Sequence, residues 1–130
     1  MLHKIYVVPK ENDFLPSLPG FSNKFLTHNE FKCKCRSLVC TRTLIYSSVI
    51  DSFNRVREEY GVAVYVNSGF RCQYHNKKVG GVPNSYHTIG AAIDIRPKYP
   101  EDLDYLETLA KQHFDVVIKY DTFLHCHNYK

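Results

Sequence analysis

Long apolar runs are missing from this chain of 130 residues. No stretch approaches the roughly 20 consecutive apolar residues that span a bilayer, which argues against a transmembrane helix. The opening residues, MLHKIYVVPKEND, contain neither an extended apolar segment nor a small-residue cleavage site, so we expect no export signal. The sequence therefore predicts a soluble protein of the cytoplasm.

The chain also lacks an even number of cysteines, a strong charge bias and internal repeats. Five cysteines in a chain without an export signal predict reduced thiols rather than a disulfide framework. The net charge of +4 is too small an excess to indicate a dedicated nucleic-acid binder. With 44% hydrophobic and 23% charged residues, the composition is typical of one globular domain, here covering residues 1–130.

Apolar periodicity predicts two main helices. Over residues 43–60 apolar side chains recur at three- and four-residue steps, and Gly61 follows as a natural helix end. Residues 101–114 repeat the pattern after Pro97 and Pro100, and acidic residues in the first turn interact favourably with the helix dipole. Each helix therefore has one side suited to packing on a core.

Three segments predict strands. Residues 62–66 form a continuous β-branched and aromatic run that suits a buried central strand. Residues 91–95 alternate as a half-buried strand with Asp94 on its polar side, and residues 115–120 and 123–127 form two short strands joined at Asp121 and Thr122. The expected fold is α+β, with a small central, mainly antiparallel sheet and two main helices.

Two segments lack a regular period. Residues 1–30 contain Pro9, Pro16, Pro19 and Gly20, and we expect an irregular arm laid over the domain. Residues 67–90 are glycine-rich and predict a long loop, which in a small domain is usually functional.

Residues suited to metal binding converge from this loop and the last strand. His87 closes the loop, and Asp94 lies seven residues further on, after a sharp turn that Gly90 permits. Alternation in the last strand places His125 and His127 on the side opposite Leu124 and Cys126. Two histidines, one carboxylate and an open fourth position match a catalytic zinc site.

These residues resemble a known family. The runs SGFRCQYHNKKVGGVPNSYHTIGAAIDI (residues 68–95) and FLHCH (residues 123–127) look like the zinc D-Ala-D-Ala carboxypeptidase family of peptidoglycan peptidases. LTHNEFKCKC (residues 26–35) is similar to the usual entry into the family's first helix. The resemblance implies a fold of the hedgehog/D,D-peptidase type.

The resemblance also implies roles for individual residues. His87, Asp94 and His125 would bind one zinc ion per chain, and Arg71 would pair with a substrate carboxylate, which the guanidinium fork suits. Ser85 would brace the loop or hydrogen-bond to substrate. These assignments describe a pocket that holds the end of a peptide.

Two residues near the C terminus have more than one interpretation. The family places an acidic residue shortly before its last histidine ligand, which indicates Asp121 as general base, although Asp is also a common turn residue. His127 occupies a position where relatives often have Asp or another polar residue. It is a substrate contact, a neighbouring acid or base, or the third ligand in place of His125, which we favour as the ligand.

The remaining cysteines leave two interpretations open. Cys33, Cys35 and Cys40 lie among basic residues and would form either a small second metal site or part of the packing. We favour packing because the usual C-x-x-C spacing is missing. Cys72 and Cys126 lack the surroundings of a cysteine-protease nucleophile.

The resemblance implies hydrolysis of peptidoglycan peptides by a monomer, as carboxypeptidase or as endolysin, with D,D or L,D specificity open. A virus-encoded, bacteriophage-type lytic peptidase without an export signal would lie in the host cytoplasm and need another route to the wall. The alternative is a non-catalytic binding module, since the hedgehog signalling domain is similar in fold. A nucleic-acid binder based on the basic residues of segment 32–42 is disfavoured, because such clusters are usually solvated surface.

Overall fold

The computed structural model describes residues 4–11, Leu15 and residues 23–128. The strands there are β1 (Ile5–Pro9), β2 (Arg42–Tyr46), β3 (Val64–Ser68), β4 (Ala92–Pro97), β5 (Val116–Lys119) and β6 (Leu124–His127). The α-helices are α1 (His28–Phe31), α2 (Ser47–Tyr60), α3 (Gln73–Lys78) and α4 (Leu103–Lys111), and short 3₁₀ helices cover Tyr86–Ile89 and Pro100–Asp102. The predicted α+β class is confirmed, whereas the hedgehog-like detail stays a prediction.

A four-stranded antiparallel sheet in the order β3-β4-β6-β5 positions the site. Its register pairs Ser68 with Asp94, Asp94 with His125, and His125 with Ile118. Side chains directly opposite each other in antiparallel strands project from the same face. The four residues therefore form one row across the sheet, and this row carries two of the predicted metal ligands.

The other face of the sheet and the helices enclose the core. Ile93, Ile95, Leu124 and Cys126 alternate with the row residues and are completely buried. Helix α4 packs on this sheet, and α2 packs against α4 and β2. Gly61 ends α2 in the left-handed conformation at φ +86°, as its position after the apolar stripe predicts.

The N-terminal part of the chain differs from the prediction. Ile5–Pro9 is strand β1, which pairs antiparallel with β2, and His28–Phe31 is a helix with a capping box, so residues 1–30 are not irregular throughout. Pro9 ends β1, where a missing N–H is tolerated. Pro16, Pro19 and Gly20 lie outside the described residues.

The predicted first helix is wrong over its first residues, which belong to β2. Thr43 and Ile45 are both completely buried, which is the two-residue period of a strand. The helical spacing of the residues that follow led to the prediction of a helix here. The helix begins only at Ser47. The partner that makes this segment a strand, β1, is distant in the chain, so local pattern did not indicate it.

The prediction for the middle of the chain also needs correction. The predicted buried central strand is β3, shifted to Val64–Ser68, and it is an edge strand of the four-stranded sheet. The predicted long loop contains α3 and the 3₁₀ helix Tyr86–Ile89. Strand β4 is buried on both faces from Ala92 to Ile95, and on the polar side Arg71 and His87 contact Asp94.

The C-terminal third follows the prediction more closely. The second helix begins as a 3₁₀ turn and continues as α4, which ends before the predicted residue 114. The last two predicted strands are β5 and β6, paired as a hairpin. Among the described residues, none of the helices combines the length and apolar character needed to cross a membrane.

Candidate metal centre

Three donor atoms meet above the row of the four-stranded sheet. Asp94 Oδ1 lies 3.1 Å from His87 Nε2 and 3.1 Å from His125 Nδ1, and one ligand atom from each residue lies within 4.8 Å of the others. Asp94 and His125 face each other across β4 and β6. The structure thus brings together the three residues that the sequence predicts as metal ligands.

His87 reaches this point because its short helix is fixed at both ends. The Ser85 hydroxyl accepts a hydrogen bond from the His87 N–H at 3.2 Å, which caps the 3₁₀ helix. Gly90 ends it at φ +78°, and a Cβ at Gly90 would collide with the Leu44 carbonyl. Only glycine fits this turn, which leads the chain back into β4.

The hydrogen bonds of His87 are compatible with a cation bound at Nε2. Its Nδ1 lies 2.7 Å from the Gly69 carbonyl oxygen, which can only accept, so Nδ1 carries a proton. In the neutral ring, Nε2 then presents a lone pair to a carboxylate oxygen. Such a contact needs a positive charge between the two atoms, supplied by a second proton or by a metal ion.

The spacing of the donors fits zinc. Zn–N and Zn–O bonds of about 2.0–2.2 Å in a tetrahedral site separate neighbouring ligand atoms by roughly 3.3–3.6 Å, a few tenths of an ångström more than the observed 3.1 Å. His125 also has an outer partner, since its Nε2 lies 2.9 Å from His127 Nδ1. Such second contacts orient imidazole ligands. The three residues would hold zinc and leave a position open toward the pocket.

Asp94 is ionised in this environment. Burial of its side chain would raise the pKa, but contacts with the imidazoles of His125 and His87 outweigh burial and hold the pKa of Asp94 at about 2. The carboxylate therefore keeps its negative charge at neutral pH and offers an anionic ligand to a cation.

Arg71 lies beside the centre and is held by three side chains. Its Nε donates to Ser68 Oγ at 3.0 Å, Nη1 donates to Asn76 Oδ1 at 3.2 Å, and Nη2 lies 3.4 Å from Asp94 Oδ2. These contacts with described residues use three of the five guanidinium N–H donors. The other two remain for a ligand in the adjoining pocket, which Arg71 lines.

Asn76 is a site residue to which the sequence analysis assigned no role. Its side chain is buried, accepts from Arg71, and donates through Nδ2 to the Val82 carbonyl at 2.9 Å. A Cβ on Gly81 would overlap the Asn76 side-chain oxygen. The sequence does contain Asn76 shortly before Val79–Gly81, but its role depends on the contact with Arg71, which only the fold shows.

The centre opens into a pocket of about 750 Å³. Its aromatic walls include Tyr86, Tyr120 and Phe123, the last two stacked with ring centroids 4.9 Å apart. Arg71, Ser85, His87, Asp94, His125 and His127 line the same space. The pocket therefore joins apolar surface to the metal-binding side chains and the guanidinium.

The other predicted site residues lie in different surroundings. Ser85 lines the pocket, and its hydroxyl oxygen accepts from the His87 N–H. His127 is buried, with its ring centroid 4.0 Å from that of Tyr86, and burial together with His125 lowers its pKa. Asp121 is exposed in the turn between β5 and β6. It is not one of the described residues that line the pocket.

Two histidines and one carboxylate, at the foot of a pocket on an α+β domain, form a donor set that suits the open centre of a zinc-dependent hydrolase. The model of the family Peptidase M15 matches residues 24–127. The chain therefore belongs to the peptidase M15 family of zinc metallopeptidases. The resemblance seen in the sequence is confirmed at this level, and no curated protein matches the chain.

Proposed function

We propose that the protein hydrolyses peptide bonds in the stems or cross-links of bacterial peptidoglycan, as a D-Ala-D-Ala carboxypeptidase or an endolysin of the bacteriophage type. One observation carries the proposal. The three donor atoms and the Arg71 guanidinium face the same pocket of about 750 Å³. Such a pocket suits a short peptide that presents both a scissile carbonyl and a carboxylate.

The three donor residues would hold the metal through His87 Nε2, Asp94 and His125 Nδ1. When bound, zinc supplies a Lewis acid that polarises a carbonyl and makes water easier to deprotonate. Asp94 contributes the negative charge of the donor set, since its pKa lies at about 2. The Gly69 carbonyl and His127 fix the rings of the two histidines.

Arg71 orients the peptide. Ser68 and Asn76 hold the guanidinium plane before substrate arrives, which reduces the entropy lost on binding. Its two remaining N–H donors match a carboxylate in a bidentate arrangement. A substrate with a free carboxylate would thus be placed with its neighbouring peptide bond over the metal centre.

Asp121 is the proposed general base, which takes the proton of the attacking water. Support comes from its position in the turn that leads into β6, between Tyr120 and Phe123, two residues of the pocket wall. His127 is the alternative base, because its ring lines the pocket and touches His125.

A non-catalytic binding module is the second candidate function. The observation that favours it is the exposure of Asp121, which in the described structure stands outside the pocket walls. A module of this kind would hold zinc and bind peptide without turnover. Digestion of the substrate separates the two functions.

The test is incubation of purified peptidoglycan with the zinc-loaded protein, followed by mass spectrometry of the released muropeptides. We expect loss of a terminal residue or separation of cross-linked stems. His87→Ala should leave the muropeptides unchanged because it removes a donor atom. His113→Ala is the matched control and should digest normally, because His113 pairs with Glu59 instead of lining the pocket.

The remaining outcomes decide between the candidates. Wild-type protein that binds stem peptides but leaves every muropeptide intact would establish the binding module in place of the peptidase. Wild-type protein that neither binds nor cleaves would overturn peptidoglycan as the substrate.

A further inference from the structure

A second cluster of potential metal ligands lies apart from the M15 centre. The sulfur atoms of Cys33, Cys35, Cys40 and Cys72 all lie within 4.8 Å of one another. Three of these cysteines come from the segment between α1 and β2, and Cys72 is the N-cap residue of α3. The fold thus adds a fourth thiol that the sequence analysis did not connect with the other three.

The sulfur separations match a tetrahedral metal site. Cys72 Sγ lies 3.7 Å from Cys33 Sγ and 3.7 Å from Cys35 Sγ. Disulfide sulfurs are only about 2.05 Å apart. Four sulfurs around zinc, each at about 2.3 Å, would be separated by roughly 3.8 Å. We propose that these four cysteines bind a second, structural zinc ion.

Hydrogen-bond donors or a positive charge reach three of the four sulfurs, those of Cys33, Cys35 and Cys72. The Cys72 N–H donates to Cys33 Sγ at 3.4 Å, and the His75 N–H donates to Cys72 Sγ at 3.4 Å. The Lys10 ammonium lies 3.6 Å from Cys35 Sγ and also donates to the Cys35 carbonyl. Zinc with four thiolates carries a net negative charge, which such donors and the ammonium stabilise.

Packing alone explains these cysteines less well. Of the four, only Cys33 is buried, while Cys35, Cys40 and Cys72 are partly exposed, yet their sulfurs converge on one point. Cys126 shows the contrast, because it is completely buried in the core and is not part of the cluster. All four also pack in or against the hydrophobic core, so the proposed site would add a metal-binding role to the packing favoured from the sequence. C-x-x-C spacing is unnecessary when the fourth ligand comes from elsewhere in the chain.

Four thiolates leave zinc no open position, so the site would stabilise structure. It would tie the segment between α1 and β2 to Cys72, the residue after Arg71. A backbone hydrogen bond already joins the chain next to both parts, since the Phe70 N–H donates to the carbonyl of Phe31, the last residue of α1, at 2.7 Å. The zinc would fix the start of α3 and, with it, the chain that carries Arg71.

Zinc content per chain, measured by elemental mass spectrometry on folded protein, tests this site independently of peptidase activity. We expect two zinc ions in the wild type and one in Cys72→Ser. Cys72→His should keep two, because imidazole is also a zinc ligand. Cys126→Ala is the matched control and should keep two, whereas His87→Ala should keep the cysteine-bound ion alone.

Cobalt substitution of the wild type gives a second measurement that does not depend on any cysteine variant. A thiolate-to-cobalt charge-transfer band, retained in His87→Ala, supports the site. Absence of this band in the cobalt-loaded wild type would overturn it. So would zinc content unchanged by Cys72→Ser, or an intact mass lower by two hydrogens in a disulfide that joins two of the four cysteines.

Discussion

Arg71 shows at the scale of one residue how the site is prepared for substrate. Ser68, Asn76 and Asp94 fix three sides of the guanidinium, so its orientation does not depend on a ligand. A lysine has the same charge but lacks the planar fork that matches a carboxylate. The proposed role therefore depends on geometry more than on charge.

Arg71→Lys is expected to lower kcat/KM for peptides with a free C-terminal carboxylate by about ten- to a hundredfold. The loss corresponds to a charge-assisted hydrogen bond of about 1.5–3 kcal/mol. The same peptides ended by a carboxamide should be cleaved equally by both proteins. Kinetics on the two peptide series, with zinc content measured alongside, provide the check.

Equal losses on both peptide series would contradict carboxylate recognition and assign Arg71 to support of Asp94. Loss of zinc in Arg71→Lys would lead to the same conclusion, because Arg71 contacts the Asp94 carboxylate.

The hairpin β5–β6 shows at the scale of an element what the sequence could predict. Strand alternation is local, so the shared side of His125 and His127 and the burial of Leu124 and Cys126 follow from sequence and are confirmed. The row joining His125 to Asp94 depends on strand order, which the local pattern does not contain.

Other features could not be predicted because they also depend on contacts between distant parts of the chain. Strand β2 pairs with β1 from a distant part of the chain, so helical periodicity prevailed in the prediction. The role of Asn76 and the approach of Cys72 to the other cysteines are likewise contacts between separate segments. The metal ligands could be predicted from the sequence because His87 and Asp94 lie close together in the chain and belong to a recognisable motif.

The same hairpin carries the two candidates for the general base. Asp121→Asn should reduce kcat by about 10²–10⁴-fold with zinc retained, since a general base contributes a factor of that size. His127→Gln should have the smaller effect, because its proposed role is to position His125. Rates measured on both variants with one muropeptide decide the matter. The reverse order of losses would assign the base to His127.

At the scale of the whole molecule, residues 69–72 connect the two proposed metal sites. The Gly69 carbonyl holds His87, Arg71 enters the pocket, and Cys72 joins the cysteine cluster. A Cβ on Gly69 would collide with Phe31, so this segment is also pressed against α1. The site therefore depends on how α1, α3 and the four-stranded sheet meet.

Anomalous diffraction at the zinc edge from crystals of the zinc-loaded protein tests the M15 centre most directly. We expect a peak about 2.0–2.2 Å from His87 Nε2, an Asp94 carboxylate oxygen and His125 Nδ1, on the pocket side of the sheet. A peak coordinated by His127 in place of His125, or zinc-loaded crystals without a peak among these three residues, would contradict it.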